Sequence, residues 1–308
     1  MRSEIYYGKA AVSTYRTYAT PLEGVAAIPE SPFSGRPNTL LAAGIEVQVL
    51  GEAFLAAYTE GDNRLVVATD TMKNFIHRES LAFAGATLEE WLFFIGRRFL
   101  ETYPHMERLR VLGEEIPFEP QLVPADDGDG FAASGVLFAR QHGDRSTARV
   151  ELDRRADAVV ATELAGGRIG LQLMKVTGSA FADFARDEYT TLPERRDRPL
   201  YVHLDVGWRY AEPAAALAAD HARYVAGEQV ADLVGAVFHR FVSLSIQHLV
   251  NEMGQAILGH WPQLAEVSFE AQNRLWDTAV TSDTDERVKV YCDPRPPYGR
   301  IGLVLRRD

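Results

Sequence analysis

Thr87-Leu88-Glu89-Glu90-Trp91-Leu92-Phe93-Phe94-Ile95-Gly96-Arg97-Arg98-Phe99 decides the fold class. Thr87 and Glu90 have the spacing of a capping box, in which each side chain satisfies the other residue's orphan amide. Leu88, Trp91, Leu92, Ile95 and Phe99 recur at helical spacing and make one broad apolar face. Pro104 ends the helix. Such a face needs a partner layer, and the flanking segments read as strands. Ile45-Glu46-Val47-Gln48-Val49-Leu50 alternates, and Leu65-Val66-Val67-Ala68 is a short apolar run. The turn Glu60-Gly61-Asp62-Asn63 lies between Tyr58 and that run, which reads as a hairpin. Residues 5–19 have strand composition. Residues 21–43, with Pro21, Pro29, Pro32, Pro37, Gly24 and Gly35, read as a loop.

The second half repeats this outline. Strand patterns occupy 133–141, 146–162, 168–176 and 200–209, and a helical region runs from 227 to 260. Phe241-Val242-Ser243-Leu244-Ser245 divides that region into two helices, because serines favour N-caps. Strands at 265–275, 287–292 and 300–306 follow. Each half is strands, helices, strands. The expectation is an α+β protein with helices on one face of antiparallel sheets. At 308 residues it divides into two domains, 1–143 and 144–308.

The 32 basic and 43 acidic residues leave a net charge of −11, which argues against nucleic acid or an anionic membrane as partner. Asp126-Asp127-Gly128-Asp129-Gly130 lacks the closing glutamate of a calcium-binding EF-hand and reads as a solvated turn. Cys292, the single cysteine, excludes an intrachain disulfide and reads as an incidental strand residue. Met1-Arg2-Ser3-Glu4 has no signal-peptide character, no apolar run approaches membrane-spanning length, and Arg306-Arg307-Asp308 is not a peroxisomal address. The expected location is a cytoplasm. The eight histidines show no paired ligand spacing and no glycine-rich nucleotide loop is present, so neither a metal nor a nucleotide cofactor is expected.

Chemistry concentrates in five short segments. Tyr7-Gly8-Lys9 lies on a strand, and Ala68-Thr69-Asp70-Thr71-Met72-Lys73-Asn74 follows an apolar run. Read alone, Lys9 is a solvated lysine and Thr69-Asp70 a helix cap. The longest distinctive segment is Ser179-Ala180-Phe181-Ala182-Asp183-Phe184-Ala185-Arg186-Asp187-Glu188-Tyr189-Thr190-Thr191-Leu192, with Asp197-Arg198 just beyond; without context Phe181 is a core residue of an amphipathic helix. Ser243-Leu244-Ser245-Ile246-Gln247 opens a helix, and Gln272-Asn273-Arg274-Leu275-Trp276 ends a strand.

Together these segments resemble the urate oxidase (uricase) family over almost the whole chain. The resemblance implies two tandem tunnelling-fold (T-fold) domains per chain and a homotetramer closing a β-barrel tunnel, with active sites at subunit interfaces. It implies cofactor-free oxidation of a purine, urate, by O2, with Lys9 and Thr69 as a proton-relay dyad. The physics suits that pair: a buried lysine gives up its proton readily and can serve a threonine hydroxyl that is too weak an acid alone. Lys73 is then a helper that depresses the Lys9 pKa, or else a solvated helix residue. By the same resemblance, Asp70 binds substrate from the dyad's subunit. The neighbouring subunit supplies Phe181 to stack on the purine, Arg198 to clamp it, the Ile246 amide and Gln247 to match its edge, and Asn273 to hold oxygen or water. Two segments depart from the family pattern, one of them the proline-containing insertion at 21–43, which would reshape the pocket mouth or a subunit contact. In the other, Arg274 and Leu275 stand where the family usually has lysine and histidine, which removes one branch of the relay. Two readings follow: an oxidase of urate or of a related flat heterocycle, and a degenerate purine-binding protein.

Overall fold

A computed structural model describes residues 5–125, 127–156, 158–292 and 297–307. The opening tetrapeptide, Asp126 of the acidic turn and Asp308 therefore lie outside the described residues. Eight antiparallel strands form one sheet, in the order β1 (Tyr6–Thr17), β2 (Leu40–Leu50), β3 (Arg108–Glu115), β6 (Arg145–Arg155), β7 (Ala158–Phe181), β8 (Arg195–Tyr210), β9 (Leu264–Arg274) and β12 (Gly299–Arg306). Two separate hairpins project from it, β4 (Phe118–Pro124) with β5 (Phe131–Arg140), and β10 (Asp277–Thr281) with β11 (Lys289–Cys292). A short helix α1 (Leu55–Thr59) precedes α2 (Thr69–Ser80) and α3 (Leu88–Thr102), while α4 (Gly227–Arg240) and α5 (Ile246–His260) lie in the second half. No helix among the described residues is long and apolar enough to cross a membrane.

The alternation in β2 works as read. Ile45, Val47 and Val49 are fully buried under the helices, and Glu46 and Gln48 face the open side of the sheet. The α3 cap has both reciprocal bonds of the box, and Trp91, Leu92, Ile95 and Phe99 are completely buried. In the second half Val230, Leu233 and Val234 of α4 and Leu249, Met253 and Ile257 of α5 bury against Val202, Val206, Val267 and Phe269 of the sheet. The open face carries ion pairs instead, among them Arg110–Glu151 at 2.8 Å and Arg300–Glu270 at 2.8 Å.

The repeat runs deeper than its outline. The order β1-β2-α2-α3-β3-β6 recurs as β7-β8-α4-α5-β9-β12. α3 and α5 are both 15 residues long, with Thr87 and Ser245 as hydroxyl N-caps. Each has a glycine at its ninth residue where the helix presses on the last strand of its unit. A Cβ on Gly96 would meet Leu152 at 2.6 Å, and one on Gly254 would meet Leu305 at 2.6 Å.

Four expectations are corrected. Residues 65–68 form no strand; they turn directly into α2, and Tyr58 sits in α1, so no hairpin forms there. The stretch 146–162 is two strands, β6 and β7, joined by a turn near Ala156, whose φ of 46° is left-handed. Phe181 ends a strand, not a helix. The loop read over 21–43 ends at Thr39, because residues 40–43 already belong to β2. It is a strap that ties the two halves of the same chain together. Leu22 and Val25 bury beside Ala86, Tyr224 and Ala226, and Gln229 of α4 donates to the Ala26 carbonyl at 2.9 Å. Asn38 donates to the Ala86 carbonyl at 2.8 Å, and partly buried Arg36 pairs with Glu115 of β3 and Glu228 of α4, each at 3.1 Å.

Candidate active site

Lys9 lies on β1 just before a bulge at which the β1–β2 register shifts between Lys9 and Val12. Ala11 within it has φ 55°, a left-handed conformation costly for a residue with a Cβ. A bulge re-aims neighbouring side chains, and no periodicity reading shows it. Gly8 has a simpler reason to be glycine: any Cβ there would fall 1.8 Å from the Val47 carbonyl oxygen of β2.

Thr69 is the first residue of α2, behind Ala68, which offers no side-chain cap. The first intrahelical bond is Met72 N–H to the Ala68 carbonyl at 3.1 Å. The amides of the opening turn therefore point out of the helix without intrahelical partners, at its positive end. The Asp70 carboxylate turns away along the helix. It accepts from the Lys73 ammonium at 2.6 Å and from Asn74 at 3.2 Å. The Lys73 contact holds the Asp70 carboxyl below the usual carboxylate range, with a smaller contribution from the charge of nearby Lys9. The Lys73 ammonium thus sits on Asp70.

The other candidate residues gather at one end of the second half. Phe181 ends β7, and its register partner on β8 is Arg195. Its ring stacks on Phe184 with centroids 4.9 Å apart and planes 12° apart, and the Arg198 guanidinium lies 5.5 Å from its centroid. Burial lowers the Arg198 pKa, and its Nε is buried without a hydrogen-bond partner. Ser243 brings the start of α5 to the same place. It forms a parallel bridge with Ser179, its carbonyl accepts from Ala180 N–H at 2.8 Å, and its hydroxyl donates to Ser179 Oγ at 3.2 Å. Ser245 caps α5 by accepting from His248 N–H at 3.1 Å. Ile246 is buried and Gln247 exposed on the first turn, where the helix end favours negative charge. Asn273 is the next-to-last residue of β9, opposite Val202, and its Oδ1 is buried without a partner. Leu275 follows the strand at 38% exposure, between Arg274, which stands 3.7 Å over the Tyr298 ring, and Trp276.

Three residues take supporting roles that the sequence did not reveal, although Tyr7 and Asp197 stand within the quoted segments and only Lys175 lies outside them. Lys175 Nζ donates to the Phe238 and Phe241 carbonyls at 3.0 and 2.8 Å, closing the C-terminus of α4 where the helix end favours a cation. Asp197 accepts from Gly178 N–H at 2.7 Å and from the Thr177 hydroxyl at 2.8 Å, and the Gly178 bond in particular holds its carboxyl low. Tyr7 reaches the loop ahead of Thr69.

The two clusters do not meet within one chain. β1 is an edge strand, and β7, β8 and β9 are four to six strands away across the sheet. At ~4.8 Å per strand the separation is roughly 19–29 Å, beyond any side chain's reach. A 790 Å³ concavity on the open face, over Ser13, Glu46, Gly113 and Arg149, is lined by none of the candidate residues. Among the described residues no three His, Cys, Asp or Glu side chains gather to hold a metal.

The uricase family model matches residues 47–151 and 165–302. The chain belongs to the uricase family. It is 46% identical to the uric acid degradation bifunctional protein of Bacillus subtilis over 308 residues, all of this chain and 62% of that protein. The counterpart from Bacillus sp. TB-90 is 45% identical over 96% of this chain and 59% of its own length, so the chain spans about three-fifths of these two relatives. The uricase of Haloferax volcanii is 48% identical, with 95% of each chain covered. Among solved structures, urate oxidase from Bacillus sp. TB-90 superposes with a TM-score of 0.94 at 43% identity, covering 99% of this chain and 100% of that one. The mixed α+β architecture with antiparallel strands agrees with those structures.

Proposed function

We propose that this uricase-family chain oxidises urate with O2 and water to 5-hydroxyisourate and hydrogen peroxide, in a cytoplasm and with no cofactor. The observation that carries this reading is the Arg198 guanidinium, buried and unpaired at Nε, standing 5.5 Å from the Phe181 ring. A flat anion needs an aromatic face to stack on and a planar cation to clamp its edge. The parallel Phe184 ring on Phe181 occupies the geometry that a flat heterocycle would take. The Ile246 amide at the α5 N-terminus and Gln247 meet the rest of the anion's edge. Asn273 holds O2 or water above the ring, its side-chain N–H donating to either and its buried, unpaired Oδ1 free to accept from water. Lys9 and Thr69 move the substrate proton, and Asp70 at the opening turn of α2 binds substrate beside them.

The separation of the clusters across the sheet supports a site completed by a second copy of the chain. In this proposal β1 and the start of α2 of one subunit bring Lys9, Thr69 and Asp70 to the Phe181, Arg198, Gln247 and Asn273 end of its neighbour, and tandem T-fold units close a tunnel in a homotetramer. The repeated element order supports a boundary between the units at the turn following Arg155, which places β6 with the first unit; the sequence expectation put it at 143/144. Leu275 favours a second reading, a purine binder with little turnover.

The deciding measurement is direct. Urate in aerated buffer is followed by its ultraviolet absorbance together with peroxide release. Equimolar loss of urate and gain of peroxide is expected. Unchanged absorbance with no peroxide at high protein concentration, alongside measurable urate binding, would establish the second reading instead.

A further inference from the structure

The chain carries two dyad residues on separate elements, Lys9 on β1 and Thr69 at the start of α2, with no side-chain cap fixing that helix start. Something must hold the entry of α2 against β1. The Tyr7 phenol oxygen accepts the Val67 N–H at 2.9 Å. Tyr7 lies two residues before Lys9 and Val67 two residues before Thr69, so this one bond links the two approaches symmetrically. The Tyr7 ring is itself held, edge-to-face on Phe54 with centroids 4.7 Å apart, and Phe54 is buried. Other ties are more distant from the dyad. Tyr58 donates to the Tyr6 carbonyl at 2.8 Å from α1, His105 meets the Leu65 carbonyl at 3.0 Å, and His77 reaches the Ser13 carbonyl at 3.3 Å a turn and more into α2. Burial raises the pKa of the Tyr7 phenol.

We propose that Tyr7 is a positioning residue: by accepting the Val67 amide, its hydroxyl sets where Thr69 stands relative to Lys9. The inference rests on the dyad reading above. It differs from a packing role for the ring, because only the oxygen matters. Proton transfer depends on heavy-atom distance, and a misplacement of ~1 Å costs on the order of 100-fold in rate.

The test is Tyr7→Phe, which keeps the ring on Phe54 and deletes the acceptor, measured for urate turnover alone and in a cycle with Thr69→Ala. The expected result is a fall in kcat of roughly 10- to 100-fold, with KM changed less than about twofold and a modest fall in melting temperature from the unpaired Val67 amide. In the Thr69→Ala background Tyr7→Phe then causes no further loss, because the residue it acts through is gone. Faster hydrogen exchange at the Val67 amide is expected in Tyr7→Phe. A wild-type kcat for Tyr7→Phe while Lys9→Met is inactive overturns the positioning role and leaves the dyad standing. An equal fold-loss in both backgrounds overturns it too. Wild-type turnover in Lys9→Met and Thr69→Ala overturns the dyad, and the positioning role with it.

Discussion

The hydroxyls of Ser179 and Ser243 lie 3.2 Å apart and both residues are completely buried. They fix the end of β7 to the turn that starts α5, two residues before Phe181 on one side and four before Gln247 on the other. Stacking and edge recognition thus share one anchor. Ser179→Ala leaves the Ser243 hydroxyl buried without its partner, a cost of ~1–3 kcal/mol. The expected outcome is that stability loss in urea unfolding, with KM for urate raised several-fold and kcat within about threefold of wild type, since the anchor governs binding and not proton transfer.

Lys9→Met and Thr69→Ala are each expected to remove most turnover, ~100-fold or more in kcat, as for loss of a general base. Both residues lie at the surface of the single chain, Lys9 half-buried and Thr69 exposed, so far-ultraviolet circular dichroism and melting temperature should stay unchanged. Near-wild-type rates in both variants remove the dyad.

Leu275 occupies a half-exposed position just past β9, with room for a polar ring at the end where Asn273 sits. Leu275→His is expected to raise urate turnover and to add a pH dependence near the ordinary imidazole range of ~6–7. An unchanged rate with urate but activity on another flat heterocycle would point to a different substrate.

A pH-sensitive element packs against the strap. Glu89 on α3 is fully buried, with Arg36, Glu90 and Tyr224 facing it, and Glu115 and Glu228 on the far side of Arg36. Burial pushes its carboxyl up to about 7 from 4.5, against the opposing pull of Arg36. The folded state therefore holds a proton that the unfolded chain has lost, between pH 4.5 and about 7. Stability from this group is full below pH 4.5 and is lost as pH rises to about 7. Glu89→Gln keeps an acceptor for Tyr224 without a charge. It should flatten the fall in melting temperature over that window relative to wild type, and melt higher at pH 8.

Much of the fold was legible because its signals are local. The Thr87 capping box, the apolar stripe of α3, the β2 alternation and the break at Ser243-Leu244-Ser245 each depend on residues within a few positions of one another. What escaped depends on distant partners. The Leu65-Val66-Val67-Ala68 run looks like a strand, but its backbone is taken by the Tyr7 phenol and by His105, and it turns into α2 instead. The bulge at Ala11 has no compositional mark. The prolines of the strap announced a loop, but not that Arg36 and Gln229 would bind it to both halves. The candidate residues were all named from resemblance. Their division into two clusters on opposite parts of the sheet is a property of strand order, which alternation alone does not encode.

That division makes the sharpest prediction. If each site takes Lys9 and Thr69 from one copy and Phe181 and Arg198 from another, a variant lacking one half can be rescued by a variant lacking the other. Lys9→Met and Arg198→Ala proteins, each inactive alone, are to be co-expressed with different tags and the mixed oligomers isolated by tandem purification. In a mixed pair, one site combines both lesions and the other combines neither, so an intact site forms wherever the wild-type halves meet. Activity of about a quarter to a half of wild type is expected, with wild-type KM, because intact sites are normal and the rest are silent. A site built within one chain gives a different result: every chain then carries one lesion, and mixed oligomers stay as inactive as the parents. Four to six strand spacings, roughly 19–29 Å at ~4.8 Å each, separate the clusters within the chain and favour rescue.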